Sequence, residues 1–155
     1  MDKKDRQQIR FQLLTPDDLD LMRDLLGLYG HVFEMADTYQ AHQPDDSYLA
    51  NLLKRDDFIS LVAREGNQVI AGLSGYVLHK FEQNRREFYI YDLAVHENWR
   101  RRKIATGLIN RLKEEARARD IYVIFVQADF GDLPAMALYR SLGLEEQALH
   151  YDIQP

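Results

Sequence analysis

The stretch Tyr91–Leu112, YDLAVHENWRRRKIATGLINRL, constrains the fold more than any other part of the chain. A run of β-formers leads through a short loop to the cations Arg100, Arg101, Arg102 and Lys103. Apolar residues at helical spacing follow: Ile104, Leu108, Leu112 and Ala116, joined by Ala105 and Ile109. A strand, turn and helix in this order put the helix's first free N–H groups and its positive dipole end at the cationic turn. Successive N–H groups in such a turn make a nest for an anion, and surrounding cations suit it to a pyrophosphate. The chemistry leaves a nucleotide, a coenzyme and a nucleic-acid backbone open, and a solvated basic turn has the same composition.

The remaining pattern predicts one mixed α/β domain over residues 1–155, in the order β-α-α-β-β-β-α-β-α-β. Ile9–Leu14 reads as a strand. Thr15 reads as the cap of a helix that has Pro16 at its first position and ends or kinks at Gly30. A second helix is expected over Ser47–Arg55. Strands over Phe58–Arg64 and Val69–Phe81 flank a tight Gly66-Asn67 turn, and Glu87–Val95 is the next strand. The basic turn opens a helix over Ile104–Arg119. Ile121–Ala128 reads as a strand buried between helices, Leu133–Leu142 as a helix stopped by Gly143, and Ala148–Ile153 as a final strand.

Composition narrows the function classes. There is no cysteine, so disulfides, thiolate catalysis and cysteine-built zinc sites are out, and a reducing cytoplasm is compatible. No apolar run approaches the roughly 20 residues of a membrane helix, and the charged start MDKKDRQQ lacks a signal-peptide core. The net charge of −5 disfavours a nucleic-acid binder, since one basic turn gives few phosphate contacts. Acids dominate between Thr15 and Asp57, opposed only by Arg23, Lys54 and Arg55. That imbalance fits either a solvated face or a cationic ligand. His31, His42, His79, His96 and His150 show no close metal-ligand spacing, and no metal is expected. Nucleophile-elbow and phosphate-loop motifs are absent. Asp92 stands alone in an apolar run, where a carboxylate is costly to bury unless paired.

Residues 100–105, RRRKIA, resemble the Q/R-x-x-G-x-G/A signature of the GNAT acyltransferases, with Arg100 and Ala105 at its ends and Lys103 in place of the central glycine. Either the turn needs no left-handed residue there or it tolerates the cost. The segments YLANLLKRDDFI, YVLHKFEQ, EFYIYDLAV, YVIFVQADFGD and PAMALYRSLGL, with AHQPDDSYL before them, resemble the gentamicin-type aminoglycoside 3-N-acetyltransferases from about Leu26 to Ile153. The resemblance implies a mostly antiparallel sheet with a splayed parallel pair, flanked by helices. It implies acetyl-CoA as cosubstrate and transfer of its acetyl group to the 3-amino group of a polycationic aminoglycoside.

The same resemblance implies roles for individual residues. Leu93, Ala94 and Val95 would line the pantetheine with their backbone, and Arg100, Arg101, Arg102, Lys103, Ile104, Ala105 and Thr106 would hold the pyrophosphate. Asp92 would act as general base, oriented by Tyr91. Tyr139 would donate a proton to the leaving thiolate. Ala135 stands where many relatives carry an asparagine. A polycation needs carboxylates, and Glu82, Glu87, Asp129, Asp132 and Asp152 are the candidates beside Asp92, with Asp129 and Asp132 favoured at a strand's carboxyl end. Trp99 is expected to pack or to stack on the coenzyme. Homodimers are common in this fold type, and the resemblance leaves the oligomeric state open. The same chemistry on a polyamine, another small amine or a protein lysine remains open, as does a coenzyme-sensing domain without turnover.

Overall fold

The computed structural model describes residues 8–155, so the charged start falls outside the described residues. Five strands form one sheet in the order β1-β2-β3-β4-β5. They are β1 (Arg10–Leu13), β2 (Phe58–Glu65), β3 (Gln68–His79), β4 (Arg86–Val95) and β5 (Ile121–Val126). All neighbours are antiparallel except β4 and β5, which run parallel. The helices are α1 (Leu19–Val32), α2 (Ala36–Tyr39), α3 (Asp46–Lys54), α4 (Ile104–Ala118) and α5 (Leu133–Arg140).

The two faces of the sheet follow from the period of two along its strands. In β2, Ile59, Leu61 and Ala63 pack with Ile104, Leu108, Ile109 and Leu112 of α4. Phe58 and Val62 point the other way, into a second core with Met22, Leu25, Leu28 and Tyr29 of α1 and Leu49 and Leu53 of α3. The α4 crossover links the parallel pair, as a parallel connection requires.

Several expectations change. Helix α1 starts at Leu19, not beside Thr15, because the Asp18 carboxylate folds back to accept from the Thr15 N–H at 2.8 Å and its hydroxyl at 2.9 Å. That closes a turn before the helix can begin. Gly30 does not stop α1, which runs on to Val32. The one-turn helix α2 was not expected. Strand β5 is the sheet's edge rather than buried between helices: Tyr122, Val123 and Phe125 are exposed. The final strand over Ala148–Ile153 does not form, and Leu149, Tyr151 and Ile153 lie exposed.

Candidate active site

The site begins at an irregularity in β4. Ser74 of β3 faces Asp92, but the next residue, Gly75, faces Ile90, so Tyr91 is one residue extra. This is a β-bulge. Its effect shows in the packing: Ile90 and Leu93 both reach the α4 core, although a regular strand would send residues three apart to opposite faces. Gly75 permits the bulge, because a Cβ there would lie 2.1 Å from the Tyr89 carbonyl oxygen.

The bulge leaves Asp92 half-buried, accepting a 2.9 Å hydrogen bond from the Tyr39 hydroxyl. Burial pushes the Asp92 carboxyl above its ordinary range, and the bond from Tyr39 opposes that rise. Tyr39 itself titrates well above a free tyrosine, through burial and its bond to the carboxylate. It is held by aromatic contacts, 5.6 Å from Tyr29 and 5.8 Å from Phe33 between ring centroids. Beneath lies a buried hydroxyl chain in which Tyr29 meets Ser74 at 2.9 Å and Ser74 meets Ser60 at 2.9 Å. Sequence reasoning missed Tyr39. Its only signal was a lone aromatic in the polar stretch from Glu34 to Ser47.

Tyr91 is exposed, at 62%. Its ring meets Tyr76 at 5.9 Å and Tyr89 at 5.8 Å, both edge-on, and Tyr89 stacks on Phe125 of β5 at 4.9 Å. An aromatic wall thus runs beside Asp92 across the parallel pair.

The pairing of β4 with β5 ends at Ile90 opposite Val126. From Tyr91 to Val95 the β4 backbone therefore has no strand partner on its β5 side. Leu93 and Val95 turn their side chains into the core while Ala94 packs on the α1 side. A turn of 3-10 helix, Glu97–Trp99, follows. Arg100 donates from Nε to the Val95 carbonyl at 3.3 Å, and the Arg102 guanidinium lies 4.7 Å over the Trp99 ring, which packs on the core.

Arg101 and Lys103 are both left-handed, at φ 65° and 61°. Of the two readings of Lys103 in the glycine position, the structure decides for the strained one: the lysine adopts the left-handed conformation. The first intrahelical bond of α4 runs from the Gly107 N–H to the Lys103 carbonyl, and no side chain caps the helix. The N–H groups of Ile104, Ala105 and Thr106 are thereby free to meet an anion just after the cations Arg100, Arg101, Arg102 and Lys103.

Tyr139 of α5 packs against the α4 core, and burial, with the charge of Asp132, pushes its hydroxyl up to about 12. Asp132 caps α5 by accepting from the Ala135 N–H at 3.2 Å. Ala135 therefore sits in the first turn of that helix. Among the other acids, Glu82 pairs with Lys80 at 3.3 Å and Arg85 at 3.5 Å, and Glu87 with Lys80 at 3.6 Å. Asp152 pairs with His150 at 3.0 Å. Asp129 is exposed and precedes α5. The site thus gathers Asp92, Tyr91 and the newly found Tyr39, while Glu82 and Glu87 are shared with cations.

A strand broken from its parallel neighbour, a carboxylate at the break and free N–H groups beside cations at the next helix make an arrangement suited to acyl transfer from an anionic carrier in a mixed α/β fold. Residues 21–144 match the acetyltransferase (GNAT) family model, and the chain belongs to that family. An aminoglycoside acetyltransferase from an uncultured soil metagenomic sample is 47% identical, with 96% of this chain and 99% of that one aligned at a TM-score of 0.93. A second such enzyme, also from an uncultured soil metagenomic sample and solved in complex with sisomicin, is 33% identical over 95% and 96% of the two chains, at a TM-score of 0.87. A ribosomal-protein-alanine N-acetyltransferase from Brucella melitensis biovar Abortus 2308, 22% identical at a TM-score of 0.72, shares the fold. No curated protein gave a match. The family uses acetyl-CoA, and the residues fit it: free N–H groups and cations for a pyrophosphate, and an unpaired strand edge for an extended amide-bearing arm.

Proposed function

We propose that the protein is an acetyl-CoA-dependent N-acetyltransferase that acetylates an aminoglycoside, at its 3-amino group. The observation that carries the reading is the half-buried carboxylate of Asp92 at the bulge, where β4 leaves β5. The sisomicin complex of a relative at 33% identity supports an aminoglycoside acceptor, and the choice of the 3-amino group rests on the sequence resemblance.

Bound acetyl-CoA supplies an activated acetyl thioester. The chain's own residues do the rest. Arg100, Arg101, Arg102 and Lys103, with the N–H groups of Ile104, Ala105 and Thr106, fix the pyrophosphate. The open backbone of Leu93, Ala94 and Val95 orients the arm. Asp92 takes the proton from the acceptor's ammonium at a carboxylate oxygen, and its raised affinity for protons suits it to that task. Tyr91 and the aromatic wall pack against the aminoglycoside rings. The Tyr139 hydroxyl keeps its proton at neutral pH and can give it to the departing sulfur. Asp129, Asp132 and Asp152 draw in the polycation, while Glu82 and Glu87 contribute less because Lys80 and Arg85 already share them. With no cysteine to carry the acetyl group, transfer is direct. A cytoplasmic setting suits a cysteine-free chain that needs acetyl-CoA.

Asp92→Asn tests the assignment. It should lower kcat by about 10²–10⁴-fold, the range for a lost general base, while the Kd for acetyl-CoA stays within about twofold. An equal loss in both would remove Asp92 from the chemistry.

We also propose that the chain forms a homodimer. Residues Leu149, Tyr151 and Ile153 alternate as a strand would and are exposed, and β5 offers an open, apolar edge. Pairing this segment with β5 of a second copy covers both.

A further inference from the structure

The search for chemistry outside the acetyl-transfer residues leads to the turn just after β4. His31, in the last turn of α1, meets His96 and Glu97, which follow β4 directly. The His31 Nε2 lies 3.0 Å from Glu97 Oε1 and 3.1 Å from Oε2, and the His96 Nδ1 lies 3.6 Å from Oε2. The two imidazole rings stack with centroids 5.4 Å apart and planes 18° from parallel. One donor atom from each of the three residues falls within 4.8 Å of the others. The cluster borders a shallow groove lined also by Arg23, Asp24, Gly27, Leu28, Gln68 and Val69.

We propose that His31, His96 and Glu97 form a binding site for a divalent transition-metal ion of the zinc class. The argument is geometric and chemical. Zinc bonds to nitrogen and oxygen are about 2.0–2.2 Å long, and a tetrahedron of such bonds has edges of about 3.3–3.6 Å. The His31 and His96 nitrogens lie 3.0–3.6 Å from the Glu97 carboxylate oxygens, close to that edge, and all three donor atoms fall within 4.8 Å, so side-chain rotations that give up the 3.3 Å bond from the Asn98 N–H to His96 Nδ1 would bring them onto one ion. Two imidazoles and one carboxylate form a donor set that zinc uses with an open fourth position, and cobalt, nickel and copper share the preference for imidazole. Local charge permits the ion. Asp24 and Arg23 both line the groove, and the Arg23 guanidinium is already engaged, bonded to Gln43 at 2.9 Å, the Pro44 carbonyl at 3.2 Å and Asp46 at 2.5 Å. His31 is far from His96 in the chain, so no sequence spacing announced the site. The proposed site departs from the expectation of no metal, which rested on that spacing. A bound ion would tie the end of α1 to the turn that leads into Arg100–Lys103. The site stands independently of the acetyl-transfer reading.

The test uses the untagged, chelator-treated full chain at pH 7.5. Zinc chloride is titrated by calorimetry. Cobalt chloride is followed in parallel by fluorescence of Trp99, the chain's only tryptophan and two residues from Glu97. The expected result is saturable binding of one ion per chain, weakened at least tenfold in both His31→Ala and Glu97→Gln and unchanged in His150→Ala. His31 is exposed on a helix and Glu97 on a surface turn, so both variants should fold, with circular dichroism and thermal midpoint as the check. Should one misfold, the other carries the comparison. Absence of saturable binding up to millimolar ion, or equal affinity in wild type and the folded variants, overturns the proposal.

Discussion

Asp92 carries an energetic burden that a surface carboxylate would not. Burial disfavours its charged form, and the Tyr39 hydroxyl partly offsets that by donating to it. Because the bond favours the carboxylate, its removal should raise the Asp92 pKa further. Tyr39→Phe should therefore move the acid limb of the kcat/KM profile to higher pH, leaving less active base at neutral pH. A limb that stays in place or moves to lower pH would show that Tyr39 does not tune this carboxylate. At this scale the sequence was half legible. A lone acid among Tyr91, Leu93 and Val95 stands out, because an apolar strand has no other reason to hold one. Tyr39 does not stand out. Its importance comes from α2 folding back onto Tyr29 and Phe33, contacts that no local periodicity encodes.

The elements recognisable in advance are those with strong local signals. The stripe of α4 and the alternation of β2 and β3 came from apolar periodicity, which burial enforces. Two misjudged elements depend on what lies beside them. An apolar run like Ile121–Val126 reads as buried, yet among the described residues no strand pairs with β5 beyond β4. Ala148–Ile153 has a strand's alternation and no ladder to join. The bulge lies between these extremes: Gly72 and Gly75 interrupt a long strand, and only the pairing register locates it. Gly75→Ala tests its role. The added Cβ would collide with the Tyr89 carbonyl and the Phe88 ring, at 2.1 and 2.7 Å. Since backbone must shift, the variant should lose about 1–3 kcal/mol in urea unfolding, the usual cost of overpacking a core. It should also lose activity beyond that expected from unfolding, because Asp92 is re-aimed. Wild-type stability with wild-type kcat would mean that the bulge does not depend on this glycine.

For the molecule as a whole, charge and surface make separate demands. The net charge of −5 is divided between acidic elements before β2 and a cationic turn after β4, so one chain can attract both an anionic cosubstrate and a cationic acceptor. The exposed apolar residues of β5 and the C-terminal segment call for a cover. Light scattering should give roughly twice the chain mass of 18.2 kDa, and Tyr151→Asp should shift the protein toward monomer. A wild-type monomer at micromolar concentration would remove the dimer from this account. The central claim concerns the acceptor, and the most direct measurement is acetyl-CoA-dependent thiol release with gentamicin, sisomicin, spermidine and a lysine peptide, the product's acetyl position being read by NMR. Saturable turnover on the aminoglycosides, with the acetyl group on the 3-amine, is the predicted result. Turnover confined to spermidine or the peptide, or coenzyme binding without turnover on any acceptor, would contradict it.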